Sequence, residues 1–338
     1  MRVGSNPVKN KRNEASGYLH HVIIPVYIPH HKDYFKDSLQ ILKLCLQSLF
    51  GTIHSKTYIS IVNNGSSKDV SEFLESLLKD ERIHELIRTG NIGKINAILK
   101  GLVGHKMPLV TIADADVFFL SGWQEATYEV FGTFERAGVV GLTPQFKSYE
   151  NRCGNIISSN LFSNKLRFTD VREPEALKKF YKSLGWDESY NGHYLKKNLT
   201  ISLSGIEAVV GSGHYVATYK RSVFGEIFTY DSAKMGLNSE NKLDEMPLKK
   251  NLWRLTTSGN YAYHMGNVLE DWMEEETKKL EPSKDSQRKL PFLGYVQNEN
   301  RFLYFIKNRL FVKLFSTRWF KQWFYSYKGL PKGMRKNY

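Results

Sequence analysis

The chain has 338 residues, 41% of them hydrophobic and 24% charged, enough to bury a sizeable core as one large domain or two ordinary ones. This composition excludes intrinsic disorder for the bulk, and two cysteines exclude a disulfide framework or a thiolate metal cluster, so Cys45 and Cys153 read as reduced thiols. The net charge of +14 lies in the tails: residues 1–12 carry four Lys or Arg, residues 301–338 carry ten, and the body between them balances 34 bases against 34 acids, which argues against a nucleic-acid-binding body.

The first residues lack the apolar stretch of a secretory signal, and no run approaches the roughly 18 to 20 apolar residues of a membrane span. A cytoplasmic location is expected. A first strand is predicted over His20 to Tyr27, rich in branched side chains, and then a helix, because Phe35, Leu39, Leu42, Leu46 and Leu49 share one face before Gly51 stops it. Tyr58 to Val62 form a second strand, and Ser66 with Asp69 offers a capping pattern for a helix carrying Val70, Phe73, Leu74 and Leu77. Glu85 to Arg88 make a third strand, Ile95, Ile98, Leu99 and Leu102 a third helix, and Leu109 to Ala113 a fourth, buried strand.

This alternation predicts an α/β fold with a Rossmann-like, mixed but mostly parallel sheet flanked by helices. Polar residues follow each strand: Tyr27, then Asn63 and Asn64, then Asn91 and Lys94, then Asp114 and Asp116. On one carboxyl edge these loops make a single ligand site. Residues 144–200 are less regular, with a helix expected from Pro174 to Leu184, and strands are expected at Glu207 to Val210 and Tyr215 to Tyr219. The expected organisation is a basic tail over 1–18, a domain over 19–280 with halves 19–143 and 144–280, and a linker with a helical, basic and aromatic extension over 281–338.

Four features in order, Val22-Ile23-Ile24-Pro25-Val26-Tyr27, Ile61-Val62-Asn63-Asn64-Gly65-Ser66-Ser67, Asn91-Ile92-Gly93-Lys94 with Asn96, and Ala113-Asp114-Ala115-Asp116, resemble the family 2 inverting glycosyltransferases of the GT-A fold. The resemblance spans roughly residues 20–270. It implies a nucleotide-diphosphate sugar donor contacted by Pro25, Tyr27, Asn63, Asn91, Lys94, Asp114, Ala115 and Gly213. It also implies Mn2+ or Mg2+ held by Asp116, with Asp114 between ribose and metal and with His264 of the closing strand reaching the metal or the diphosphate. The family base comes from a Glu-Asp pair before a leucine at a helix start; the corresponding stretch here is Asp244-Glu245-Met246-Pro247-Leu248, which makes Glu245 the first choice and Asp244 the second. Asn63 stands where the family commonly has an aspartate, which leaves only a weak preference for uridine.

Residues 301–338 interleave twelve aromatics with ten bases. That mixture suits an anionic bilayer surface on the cytoplasmic side, or packing against the body or a second copy of the chain. The expected activity is sugar transfer to a glycan or lipid-linked acceptor in cell-surface polysaccharide assembly. A nucleotidyltransferase of similar fold and a silent membrane- or nucleic-acid-binding protein remain the alternatives.

Overall fold

The computed structural model describes residues 17–187, 189–226, 230–236, 239–282, 293–294 and 298–338, with residues 4 and 9 besides. Most of the tail expected over residues 1–18 and most of the linker around Pro282 to Lys289 lie outside them.

Strand β1 (His20–Val26), helix α1 (Ser38–Thr52), β2 (Thr57–Asn64), α2 (Lys68–Lys79), β3 (Glu85–Thr89), α3 (Lys94–Leu102) and β4 (Leu109–Ala113) follow the expected alternation. The strands are apolar on both faces because helices cover both. Val22, Ile24 and Ile61 pack with Leu42, Leu46 and Leu49 of α1, while Ile23, Val62 and Ile112 meet Ile95, Ile98 and Leu102 of α3.

Two local expectations shift. Gly51 does not stop α1, which runs on to Thr52 and ends where Ile53 turns extended. Ser66 does not cap α2: Ser67 takes the N-cap position with its hydroxyl on Asp69 at 2.7 Å. The Ser66 hydroxyl instead accepts from the Ile28 amide at 3.0 Å and donates to the Val26 carbonyl at 3.2 Å, tying the loop after β2 to the end of β1.

The chain continues through β5 (Val117–Phe119), α4 (Trp123–Thr133), β6 (Ala137–Gly141), α5 (Gly154–Ser159), β7 (Leu166–Asp170), α6 (Pro174–Ser183), β8 (Lys197–Leu203) and β9 (Ile206–Val210). Then come β10 (Val216–Lys220), α7 (Asn241–Lys249), β11 (Trp253–Thr257), β12 (Ala262–His264) and α8 (Asp271–Thr277). Ten strands make one sheet in the order β3-β2-β1-β4-β10-β6-β11-β9-β8-β7. The four strands β3-β2-β1-β4 are parallel, as is the β6 and β11 pair. β10 runs antiparallel between β4 and β6, and β9, β8 and β7 extend the sheet antiparallel beyond β11. β5 and β12 pair as a separate antiparallel ribbon.

The tail forms α9 (Arg301–Phe305), a π-helical turn Ile306–Leu310, α10 (Phe311–Phe315), α11 (Arg318–Tyr327) and α12 (Lys332–Arg335). Part of it packs on the body. Phe315, Phe320, Phe324, Tyr325, Leu330 and Tyr338 join a core with Phe168 of β7 and Tyr149. The Phe168 amide also donates to the Lys328 carbonyl at 2.9 Å. Each fully buried aromatic contributes about 1.5–3 kcal/mol, which offsets the entropy lost on ordering the tail. No helix among the described residues is long and apolar enough to cross a membrane.

Candidate active site

The loops after the parallel strands share the carboxyl edge of the sheet. They wall a cavity of about 320 Å³ that takes Pro25 and Tyr27 from the end of β1, Asn64 from β2, Asn91 and Lys94 after β3, and Asp114, Ala115 and Asp116 after β4. Two glycines let these loops close on one another. Gly93 has φ +89°, and a Cβ there would lie 2.6 Å from the Ala233 carbonyl; Gly65 has φ +91°, with its would-be Cβ 2.8 Å from the Asn91 amide.

The acidic loop between β4 and β5 is held from both sides by distant sequence. The Asp114 amide donates to the Tyr215 carbonyl at 2.7 Å, and the Met265 amide donates to the Asp116 carbonyl at 2.8 Å. The β5 and β12 ribbon sets His264 opposite Val117, which brings its imidazole to Asp116. Register in a two-stranded ribbon thus does what 148 residues of separation could not.

Lys94 Nζ lies 2.7 Å from Asp114 Oδ1 and 3.0 Å from Glu240 Oε1. Burial works against its charge, but the two carboxylates outweigh that and hold Lys94 above the ordinary lysine range. Burial would likewise raise Glu240, yet the Lys94 ammonium draws it below the usual carboxylate range and keeps it ionised.

Asp116 sits at the other end of the site. Burial pushes its carboxyl upward, with His264 and Lys94 opposing and Asp114 adding to the rise. Its Oδ1 is closed from solvent and has no hydrogen-bond partner among the described residues. Its Oδ2 faces His264 Nε2 at 3.4 Å. The far side of that ring fixes its tautomer: Ser183 donates its hydroxyl to the Phe180 carbonyl at 2.6 Å, so the same oxygen accepts from His264 Nδ1 at 2.8 Å. When the ring is neutral, Nε2 therefore presents a lone pair to the Asp116 oxygen, and the two electron-rich atoms need a proton or a cation between them. A buried unpartnered oxygen beside an outward lone pair is a place where a proton or a hard cation is stabilised, while the Asp114 carboxylate is held by Lys94 and does not close with them into a three-ligand cluster among the described residues.

Four residues expected at the site stand elsewhere. Asn63 does not reach the cavity: it is buried, accepting from the Ser66 amide at 3.0 Å and donating to Ser71 at 2.9 Å, while the next residue, Asn64, faces the opening. Gly213 leaves room for Gln145, whose Nε2 lies 2.1 Å from where a Cβ would stand, and is not part of the cavity wall. Asp244 is 2% exposed and bound to the fully buried Arg254 at 2.7 Å, which anchors the carbonyls of Asn151 and Ser212; it is a structural counter-ion walled from solvent. Glu245 points to Arg152 at 3.0 Å and lines a different cleft with Arg301 and Tyr304.

The acid brought to Lys94, behind the cavity wall, is Glu240, 27% exposed at the N-cap of α7. Glu240-Asn241 followed by Leu243 is the same acid-led helix start with its second acid replaced by an amide, which is the sequence signal for it.

Metal-type side chains also gather at the opposite edge of the sheet, where ligand atoms of His21, Glu85 and His105 lie within 4.8 Å of one another. A proton chain accounts for them. Ser60 donates to Glu85 at 2.5 Å and accepts from His21 Nε2 at 2.8 Å, and His105 Nε2 reaches the same Glu85 oxygen at 3.0 Å.

Comparison with known proteins adds a family. The crystal structure of S. aureus TarS is similar at 12% identity and a TM-score of 0.41, over 74% of this chain and 36% of that one. TarS 1-349 in complex with UDP-GlcNAc gives 12% and 0.42 over 75% and 60%, and the mannosyltransferase PcManGT from Pyrobaculum calidifontis, in complex with GDP-Man and Mn2+, gives 12% and 0.41 over 75% and 59%. The chain thus spans between 36% and 60% of the length of these three distant likenesses. No curated protein matches it. Residues 22–186 match the model of Glycosyl transferase family 2, a stretch that contains all four strand-end loops of the cavity. With its ordered motifs gathered on one sheet edge and the match running through them, the segment 22–186 is a family 2 glycosyltransferase domain.

Proposed function

We propose that the chain transfers a sugar, with inversion, from a nucleotide-diphosphate donor to a glycan or lipid-linked acceptor, as in cell-surface polysaccharide assembly. The observation that carries this reading is the Asp116 carboxylate, on the wall of a cavity built from the four strand-end loops, with its Oδ1 buried and unpartnered and its Oδ2 facing His264. Asp116, Asp114 and His264 would hold Mn2+ or Mg2+. Bound there, the cation would neutralise charge gathering on the departing diphosphate.

The chain's own residues supply the rest. Tyr27, Asn64 and Asn91 line the part of the cavity suited to the nucleoside, and a uridine diphosphate sugar is the first donor to try. Lys94, held cationic by its two acidic neighbours, pairs with Asp114 and adds positive potential beside the diphosphate. Glu240, ionised and partly exposed beside Lys94, takes the proton from the acceptor hydroxyl as that oxygen attacks the anomeric carbon. A lipid-carried acceptor at the cytoplasmic face of a membrane is supported by the exposed aromatics and the cations of residues 301–338.

A panel of nucleotide sugars with Mn2+ tests the proposal. Donor hydrolysis or transfer from at least one is expected, and Asp116→Ala should abolish the metal-dependent part of nucleotide binding in calorimetry. Absence of any turnover across the panel, together with unchanged nucleotide binding by Asp116→Ala, would sink it.

A further inference from the structure

Helix α11 has two aromatic faces, and only one of them is used by the fold. Phe320, Phe324 and Tyr325 are at most 7% exposed and packed in the core. Trp319, Trp323 and Tyr327, spaced four residues apart, are 65%, 39% and 48% exposed. At 1.5 Å per residue this stripe is about 12 Å long. Trp323 and Tyr327 stack with ring centroids 5.3 Å apart, and Phe162, from the loop before β7 and 74% exposed, stands edge-on to both at 6.5 and 6.3 Å. The stripe is therefore one ridge built from two separate parts of the chain.

The ridge is rigid, because the opposite face of the same helix is anchored in the core. The tail that carries it holds one sign of charge. Residues 301–338 contain ten bases and no acid. Lys307 and Lys321 are neutralised by Glu299 and Glu150, and Lys328 is buried on the Asn160 and Ser163 carbonyls. Arg309, Lys313, Arg318, Lys332 and Lys336 form no salt bridge among the described residues. Exposed indole and phenol rings, in a segment whose Arg318 and Lys332 form no salt bridge among the described residues, fit the interfacial zone of a bilayer, where rings sit among glycerol and upper acyl groups while Lys and Arg meet lipid phosphates.

We propose that the outer face of α11 together with Phe162 docks this protein on an anionic lipid bilayer, with Trp319 and Trp323 inserted and Arg318 and Lys332 at the phosphates. The surface is distant in sequence from the strand-end cavity and stands or falls without the transfer reading. Charge decides between a bilayer and a second copy of the chain: the ridge and its flanks would set cation against cation in a two-fold self-contact, whereas an anionic membrane complements them.

The test is flotation of the full chain with phosphatidylcholine vesicles holding about 30% phosphatidylglycerol, beside pure phosphatidylcholine vesicles. Recovery with the anionic vesicles is expected to fall at least roughly tenfold for Trp319→Ala/Trp323→Ala/Tyr327→Ala, and severalfold for Arg318→Glu/Lys332→Glu, which leaves the rings in place. Tryptophan quenching by brominated lipid should be present in the native chain and lost in the triple variant. Circular dichroism and nucleotide binding should be unchanged in both variants, which separates docking from folding and from the donor cavity. Equal recovery with neutral vesicles, binding that survives the triple variant, or sedimentation showing a dimer that the triple variant dissolves would each overturn the proposal.

Discussion

Glu240 and Glu245 lie five residues apart on one short helix and can be separated by matched substitutions to glutamine. Five steps of about 100° turn the second side chain about 140° away from the first, so one meets Lys94 at the cavity rim and the other meets Arg152 in a neighbouring cleft. Glu240→Gln keeps the size of the side chain and an oxygen for Lys94, which retains Asp114 at 2.7 Å. The stability cost is therefore at most about 1 kcal/mol. What glutamine cannot do is accept the acceptor's proton, and loss of a positioned base lowers turnover by about 10² to 10⁴. Glu245→Gln weakens an ion pair whose side chains are 24% and 39% exposed, worth about 0–1 kcal/mol, and should leave turnover within about twofold of the native chain. Steady-state transfer with saturating donor and Mn2+ reads both, and the loss in Glu240→Gln should fall on kcat with little change in donor KM. A loss below about threefold in Glu240→Gln, or a hundredfold loss in Glu245→Gln, would return the base to Glu245 and refute the assignment made from the fold.

Two further outcomes concern stability. Asp244→Ala strands the fully buried Arg254 guanidinium and should cost about 3–5 kcal/mol in urea unfolding, with catalysis by the remaining folded enzyme little changed; a cost under about 1 kcal/mol would show that Asp244 is not its counter-ion. His20 and His21 are held neutral, chiefly by burial, with His20 well below 6.5 and His21 lowered to about 3. Between those values and 6.5 the unfolded chain binds protons that the folded chain refuses, so the stabilisation is complete above pH 6.5 and is lost as pH falls. From pH 7 to 5.5 the two groups together should remove about 2–3 kcal/mol, and His21→Gln should recover about half of that; a flat profile over this range would contradict the burial argument.

The amino-terminal alternation was legible because β1 and β2 are covered on both faces, so their apolar runs stand out against amphipathic helices. The faces of single residues were harder. Asn63 and Asn64 are equally polar, and only strand register decides that the second opens to the cavity while the first serves the Ser66 turn. Gly213 read as a gap for substrate because a missing side chain looks the same whether the neighbour is a ligand or Gln145. The acid proposed as base differs from the one the sequence suggests for a reason of helix phase: Asp244-Glu245 reads as an acidic pair at a helix start, but α7 begins at Asn241 with Glu240 at its cap. The tail's aromatics were visible at once, yet their division into an anchored and a free face needed the position of β7, which no local pattern carries.

Strand β10 sits between β4 and β6 although its residues belong to the second half of the chain, and its ladder to β4 runs from Ala113 opposite Val216 to Leu109 opposite Lys220. The two halves are in consequence stitched through the middle of the molecule and cannot swing apart as a clam shell without tearing central hydrogen bonds. Any gating around a donor must come from rim segments, such as the stretch carrying Tyr34 and the one carrying Lys234 and Met235, which border the cavity and belong to no strand of the sheet.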